Sequence, residues 1–134
     1  MPAPSNGELP LTSDQDVVLC RQALRRMTQE LGFSLVDQTK MVTAASELAR
    51  NAVVHGGGGE FSWQILSEGA RRGLRATFRD RGPGIANIEL AMTDGWTSGN
   101  GLGLGLSGSR RLVNEFEIES AVGAGTRVTI TRWK

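Results

Sequence analysis

Eight glycines fall between residues 82 and 108, and four more stand in an unbroken run at Gly56 to Gly59. Glycine gives up more conformational freedom on folding than any other residue, so neither stretch is held in a long helix or strand by its own propensity. The fold must therefore be built from the segments between them. The full chain of 134 residues contains 18 glycines, where average usage gives about nine. Such a surplus is compatible with disorder, or it marks places where backbone must come close to something.

The intervening segments are ordinary amphipathic elements. Ser13 is placed as a helix N-cap, with Asp14 and Asp16 as first-turn acids. Val17, Leu24, Met27 and Leu31 then recur at helical spacing, and Gly32 stops the helix. Ser34 and Asp37 keep capping-box spacing, with Asp in place of the usual Glu, and open a second helix that runs to about Val54. At about 100° per residue, Met41, Ala45, Leu48 and Ala52 fall within about 60° of one another and define its buried face. Phe61, Trp63 and Ile65, then Leu74, Ala76 and Phe78, alternate with polar neighbours as two strands around a turn at 69–73. A short helical piece at Asn87 to Met92, a helix at Leu106 to Glu115 and a last hairpin around 123–125 complete the chain. Residues 1–12 hold three prolines and read as a tail, or as an edge strand from Glu8 to Thr12. This order predicts an α+β fold, a two-layer α/β sandwich with a mixed, mostly antiparallel sheet and its helices on one face. Residues 13–134 are expected to form a single domain.

Composition narrows the functions. With 15 basic and 14 acidic residues the net charge is +1, which offers no electrostatic reason to bind nucleic acid or an acidic membrane. One cysteine and one histidine, His55, exclude an internal disulfide and any site needing several thiolates or two imidazoles. No run of about 18 apolar residues occurs, and no secretory signal pattern opens the chain. A soluble, cytoplasmic protein is expected.

The segment 80–105 is longer than a default connector, and both its ends are patterned. Asp80-Arg81-Gly82-Pro83-Gly84-Ile85 follows a strand, and Gly101-Leu102-Gly103-Leu104-Gly105-Leu106 precedes a helix. Alternating glycines before a helix let backbone N–H groups converge on an anion, phosphate above all, although a hinge without ligand fits an isolated repeat equally well. Gly103, Gly105 and Gly108 also match a dinucleotide fingerprint, but that motif needs a preceding strand and a βαβ unit, and both are missing. No Walker A loop is present. Asp80 beside two glycines can accept a hydrogen bond from an exocyclic amine of a flat ring, or can be an ordinary turn aspartate. Glu47 and Asn51, spaced i, i+4, share a helix face. The pair can serve as a carboxylate that orients a nucleophile and an amide oxygen that ligates Mg²⁺, or as a solvated polar stripe.

Taken together and in this order, the three motifs resemble those of the GHKL superfamily, the ATP-binding domain shared by gyrase, Hsp90, histidine kinases and MutL. Glu47-Leu48-Ala49-Arg50-Asn51 is similar to its N box, Asp80 to Gly84 to its G1 box, and Gly101 to Gly105 to its G2 box. Within that superfamily the chain resembles the bacterial anti-sigma regulatory serine/threonine kinases of the stressosome switch type. Gly32-Phe33, Val36-Asp37-Gln38, Asp94-Gly95, Thr97-Ser98-Gly99, Phe116 to Ser120 and Arg132-Trp133-Lys134 carry that likeness. Ser107 departs from it, where proline is expected, and so do His55 and the glycine run after it.

The resemblance implies a histidine-kinase-type ATPase (Bergerat) fold with a lid at 85–105 that contains Trp96. It implies ATP and Mg²⁺ as cofactors. Asp80 would bind the adenine amine, Gly82 and Gly84 would let the base approach, and Ile85 and Thr126 would belong to the nucleotide pocket. Asn51 would ligate Mg²⁺. Gly101, Gly103 and Gly105 would wrap the phosphates, with Leu102 and Leu104 between them and Leu106 next in the chain. Glu47 would position or deprotonate a serine or threonine hydroxyl on another protein, and His55 would be a surface residue near the site. The implied substrate is a STAS-domain antagonist or stressosome protein, with a PP2C-type phosphatase as second partner and neither nucleic acid nor membrane involved. A nucleotide-dependent binding switch of anti-sigma type, or a scaffold that has lost its nucleotide, is the competing expectation.

Overall fold

The computed structural model describes residues 5–93 and 105–134. In chain order these form β1 (Asn6–Leu11), α1 (Asp14–Glu30), α2 (Leu35–Val54), β2 (Gly59–Glu68), β3 (Arg71–Asp80), α3 (Ile88–Ala91), α4 (Gly105–Arg111), β4 (Glu115–Ala121) and β5 (Gly125–Trp133). The strands make one sheet in the order β1-β2-β3-β5-β4. All four pairings among the described residues are antiparallel, in keeping with the mostly antiparallel sheet expected.

Period-two alternation explains the layering. Phe61 on β2, Leu74, Ala76 and Phe78 on β3, and Val128 and Ile130 on β5 are buried beneath α1 and α2. Phe61 and Phe78 stack at 5.3 Å between ring centroids. The residues between them, including Arg75, Thr77 and Thr129, lie on the other face. There Arg75 Nε donates to Thr131 Oγ1 at 2.9 Å, and the Thr77 and Thr129 hydroxyls meet at 3.3 Å. The helices cover one face only, as the patterning requires.

Both predicted N-caps form. The Ser13 hydroxyl accepts from the Asp16 N–H at 3.2 Å, and the Ser34 hydroxyl from the Asp37 N–H at 3.1 Å. Met41, Ala45, Leu48 and Ala52 are all buried, and Leu24, Met27 and Leu31 line the matching side of α1. The proline-bearing N-terminal segment is an edge strand, where Pro10 is tolerated.

Two expectations are corrected. The helix read at Leu106 to Glu115 ends at Arg111, and Glu115 already pairs with Thr131 in β4. The Asn114 N–H donates to the Thr131 carbonyl and the Trp133 N–H to Asn114 Oδ1, so the sheet claims this segment. Gly73 is not part of the β2–β3 turn, which closes at Gly69 and Ala70, but a strand residue. A Cβ there would stand 2.7 Å from the Trp133 ring.

Candidate functional site

The site grows from the end of the sheet where β2 begins, β3 ends and β5 begins. Antiparallel register sets Gly59, Asp80 and Thr126 side by side there. Above them lies the last turn of α2, whose amphipathic stripe fixes its rotation and so directs Asn51 and His55 to the same place. The chain leaves α2 through the glycine run, and its close contacts explain it. A Cβ at Gly56 would lie 2.3 Å from Asp80 Cγ, and one at Gly59 would lie 1.8 Å from the Arg79 carbonyl oxygen. Gly57 and Gly58 take φ of +70° and +110°, a region that side chains avoid. The run lets helix, strand end and Asp80 come together without side chains between them.

These elements enclose a cavity of about 490 Å³, within the usual size for small-molecule sites. Leu48, Ala52, Phe78, Ile85, Leu90, Leu106 and Val128 make most of its wall. The polar groups are few: Asn51 and His55 from α2, Asp80 from β3, Thr126 from β5 and Asn87 before α3. Asp80 is the only carboxylate among the described lining residues. Its Oδ1 accepts the Gly82 N–H at 2.9 Å, the turn geometry expected of Asp-x-Gly. A carboxylate so held keeps further lone pairs for a ligand amine.

The far lip is fixed by Ser120, which sequence reasoning missed. Its hydroxyl accepts the Ile85 N–H at 2.7 Å, donates to the Gly125 carbonyl at 3.0 Å and lies 2.8 Å from Thr126 Oγ1. With the Ser120 proton given to Gly125, the Thr126 hydroxyl donates to Ser120 and presents its own lone pairs as acceptors. A Ser–Thr pair across adjacent strands carries no sequence signature, so only register could reveal it.

The structure therefore brings Asn51, Asp80, Gly84, Ile85, Gly105, Leu106 and Thr126 to one cavity. Gly82 lies behind its wall, and a Cβ there would stand 2.6 Å from the Gly56 Cα. At Gly84 the Ala121 carbonyl oxygen would lie 2.0 Å away. Glu47 is half-buried one turn before Asn51 and outside the cavity wall. His55, expected near the site on the surface, is half-buried and in the wall. Trp96, Gly101, Leu102, Gly103 and Leu104, with most of the expected lid, lie outside the described residues. Among the described residues no group of three or more His, Cys, Asp or Glu side chains could hold a metal. The donor set suits Mg²⁺ all the same, because that ion typically takes one or two protein oxygens and completes its shell with phosphates and water. The Asn51 side chain supplies such an oxygen.

A two-layer sandwich with an apolar cavity, one carboxylate at a strand end and one amide on the covering helix has the make-up of a small-molecule binding site. Residues 36–134 match the family described as histidine kinase-, DNA gyrase B-, and HSP90-like ATPase, and the chain belongs to that family. It is 39% identical over 123 residues to the serine/threonine-protein kinase RsbT of Bacillus subtilis, covering 92% of each chain. An anti-sigma F factor of Clostridium novyi is 27% identical over 127 residues, covering 91% of this chain and 89% of the relative. Among solved structures, the RsbU and RsbW domains of a Mycobacterium tuberculosis protein superpose with a TM-score of 0.68 at 25% identity. That match covers 98% of this chain and 32% of the other. Among the described residues, no helix is long and apolar enough to cross a membrane.

Proposed function

We propose that this protein is an ATP- and Mg²⁺-dependent protein serine/threonine kinase that acts as a partner switch in stress or sigma-factor regulation. Residues 13–134 would be its single catalytic domain, working in the cytoplasm with the lid at 85–105. The substrate is a STAS-domain antagonist protein, and a PP2C-type phosphatase is the second partner. The observation that carries this reading is the convergence of Asn51, Asp80 and Thr126, from three elements, on one apolar cavity.

Phosphoryl transfer depends mainly on positioning and on neutralising charge. Asp80 accepts the exocyclic amine of adenine, and Thr126 offers a second acceptor beside it. Phe78, Ile85 and Val128 exclude water from the faces of the base. Asn51 would hold Mg²⁺ through its amide oxygen, and the ion would offset the charge of the phosphates. The glycines Gly101, Gly103 and Gly105 supply backbone N–H groups to the same phosphates. Glu47 stands outside the wall, where it suits a hydroxyl brought by a second protein. It orients that hydroxyl and takes its proton as the oxygen bonds to the γ-phosphorus, whose bond to the β–γ bridging oxygen breaks so that ADP leaves.

The test is transfer of labelled γ-phosphate from ATP to a STAS-domain protein. We expect Glu47→Ala to bind ATP normally and to lose about 10²- to 10⁴-fold in transfer rate. Full transfer by that variant overturns the role of Glu47. Wild-type protein that binds ATP and the STAS protein without any transfer would make a nucleotide-dependent binding switch the better reading, in line with the 27% identical relatives named anti-sigma F factors.

A further inference from the structure

We propose that Arg132 is a positioning residue that sets the geometry of the nucleotide cavity from the opposite end of the molecule. The inference rests on the nucleotide-binding reading above. Three elements supply cavity walls with one end and meet again at the other. β5 carries Thr126 in the wall and Arg132 six residues further on, about 20 Å away in extended chain. α2 carries Asn51 in the wall and Asp37 in its first turn, about 21 Å apart along the helix. α4 begins with Gly105 and Leu106 in the wall and ends at Arg111, just before Leu112.

One guanidinium joins all three far ends. Arg132 Nη1 donates to the Leu112 carbonyl at 2.9 Å, and Nη2 donates to Asp37 Oδ1 in a short ion pair. The arginine side chain is only 13% exposed. Its third donor, Nε, is buried and has no partner among the described residues.

That last detail argues for position over stability. A partly exposed ion pair adds little to stability, and a buried donor left unmatched subtracts from it. The best-attested use of such pairs is to fix register. α4 has seven residues, too few to hold a helix by itself, so its tilt depends on what its ends touch. With the Leu112 carbonyl released, Gly105 and Leu106 are free to shift against Asn51 and Thr126. Lysine cannot substitute, since one ammonium does not reproduce a planar fork aimed at two acceptors.

The experiment compares Arg132→Lys and Asp37→Asn with Thr28→Val, all held at a temperature where each is folded. Thr28 is buried on α1, its hydroxyl donating to the Leu24 carbonyl at 2.8 Å, away from the cavity. Two quantities are read: ATP affinity by calorimetry, and amide hydrogen exchange across 105–111. We expect Arg132→Lys to weaken ATP about tenfold, as loss of a supporting contact does at other sites, and to speed exchange in α4. Asp37→Asn should move both in the same direction by less. Thr28→Val should lower Tm while changing neither. An Arg132→Lys protein that loses Tm but keeps wild-type ATP affinity and α4 protection overturns the proposal. Wild-type protein that fails to bind ATP would instead overturn the nucleotide reading, and α4 exchange alone would then decide whether Arg132 holds the helix.

Discussion

At one end of the sheet Gly59, Asp80 and Thr126 stand side by side beneath an open cavity. At the other end, Gly73, Arg132 and Trp133 are neighbours in a region filled with side chains. The Arg71 guanidinium lies 3.9 Å from the centre of the Trp133 ring, and Trp133 Nε1 donates to Glu115 at 2.7 Å. The cavity end is built by leaving side chains out. Gly56 rests on Asp80, Gly82 on Gly56, and Gly125 against the Asp80 carbonyl. Glycine backbone packed against backbone and against the Asp80 side chain makes a rim that closes without filling the cavity. The difference teaches that the hollow and the clamp are complementary: the end that must stay open borrows its order from the end that is closed.

The sharpest way to break the comparison is to add a methyl group at the open end. Gly59→Ala would push Cβ to 1.8 Å from a strand carbonyl, and we expect a loss of about 3 kcal/mol or more in denaturant unfolding. Asp80→Asn comes next. It keeps the shape and reverses the hydrogen-bonding sense toward an amine, and we expect ATP affinity to fall about 100-fold by calorimetry, or about 2.7 kcal/mol. Unchanged affinity would remove Asp80 from the adenine site. Gly57→Ala should cost less than Gly59→Ala, because nothing lies within 4 Å and only the φ of +70° opposes it. About 1–2 kcal/mol is expected, read from the same unfolding curves. Equal losses at positions 57 and 59 would mean that the strand yields around Gly59 and relieves most of the crowding there.

The smallest effect concerns the closed end. The hydrogen bond from Arg132, more than any other contact, holds the Asp37 carboxyl below its ordinary value of 3.8. A carboxylate depressed by folding contributes stability that is present above the unfolded value and is lost as pH falls through the folded one. The Tm difference between wild type and Asp37→Asn should therefore be constant from neutral pH to about pH 4 and shrink below it. A difference that persists unchanged in strong acid would show that Asp37 acts by packing alone. Cys20, whose thiol burial pushes up to about 12, should stay inert to thiol reagents throughout, which makes its modification a clean reporter of global unfolding.

Much of this was legible in the chain. Caps at Ser13 and Ser34, the stripe from Met41 to Ala52 and the alternation in β2, β3 and β5 follow from local chemistry and period, and they hold. The residues that meet in the cavity were legible as motifs because Asn51, Asp80 and Gly105 each follow a short-range pattern. Gly57 and Gly58 are required by their positive φ, while Gly56 and Gly59 had no local reason, since what they touch is Arg79, Asp80 and Gly82. Ser120 was invisible for the same cause. Asp37 read as the capping-box partner of Ser34, yet its ion-pair partner Arg132 lies 95 residues away. The length of α4 was misjudged because helical spacing continued past Arg111 while hydrogen bonds from Asn114 had already passed to β5.

Short-range information in the sequence determined which segments are helix and which are strand, which faces are buried and that Asn51 and Asp80 belong to patterned stretches. Those properties depend on neighbours within a few positions. Tertiary structure alone decided that Glu47 stands outside the cavity while His55 lines it, that the glycine run serves close packing, and that one arginine ties together the elements forming three of the walls. Each of these depends on register and on contacts between residues far apart in the chain, and no local pattern encodes such distances.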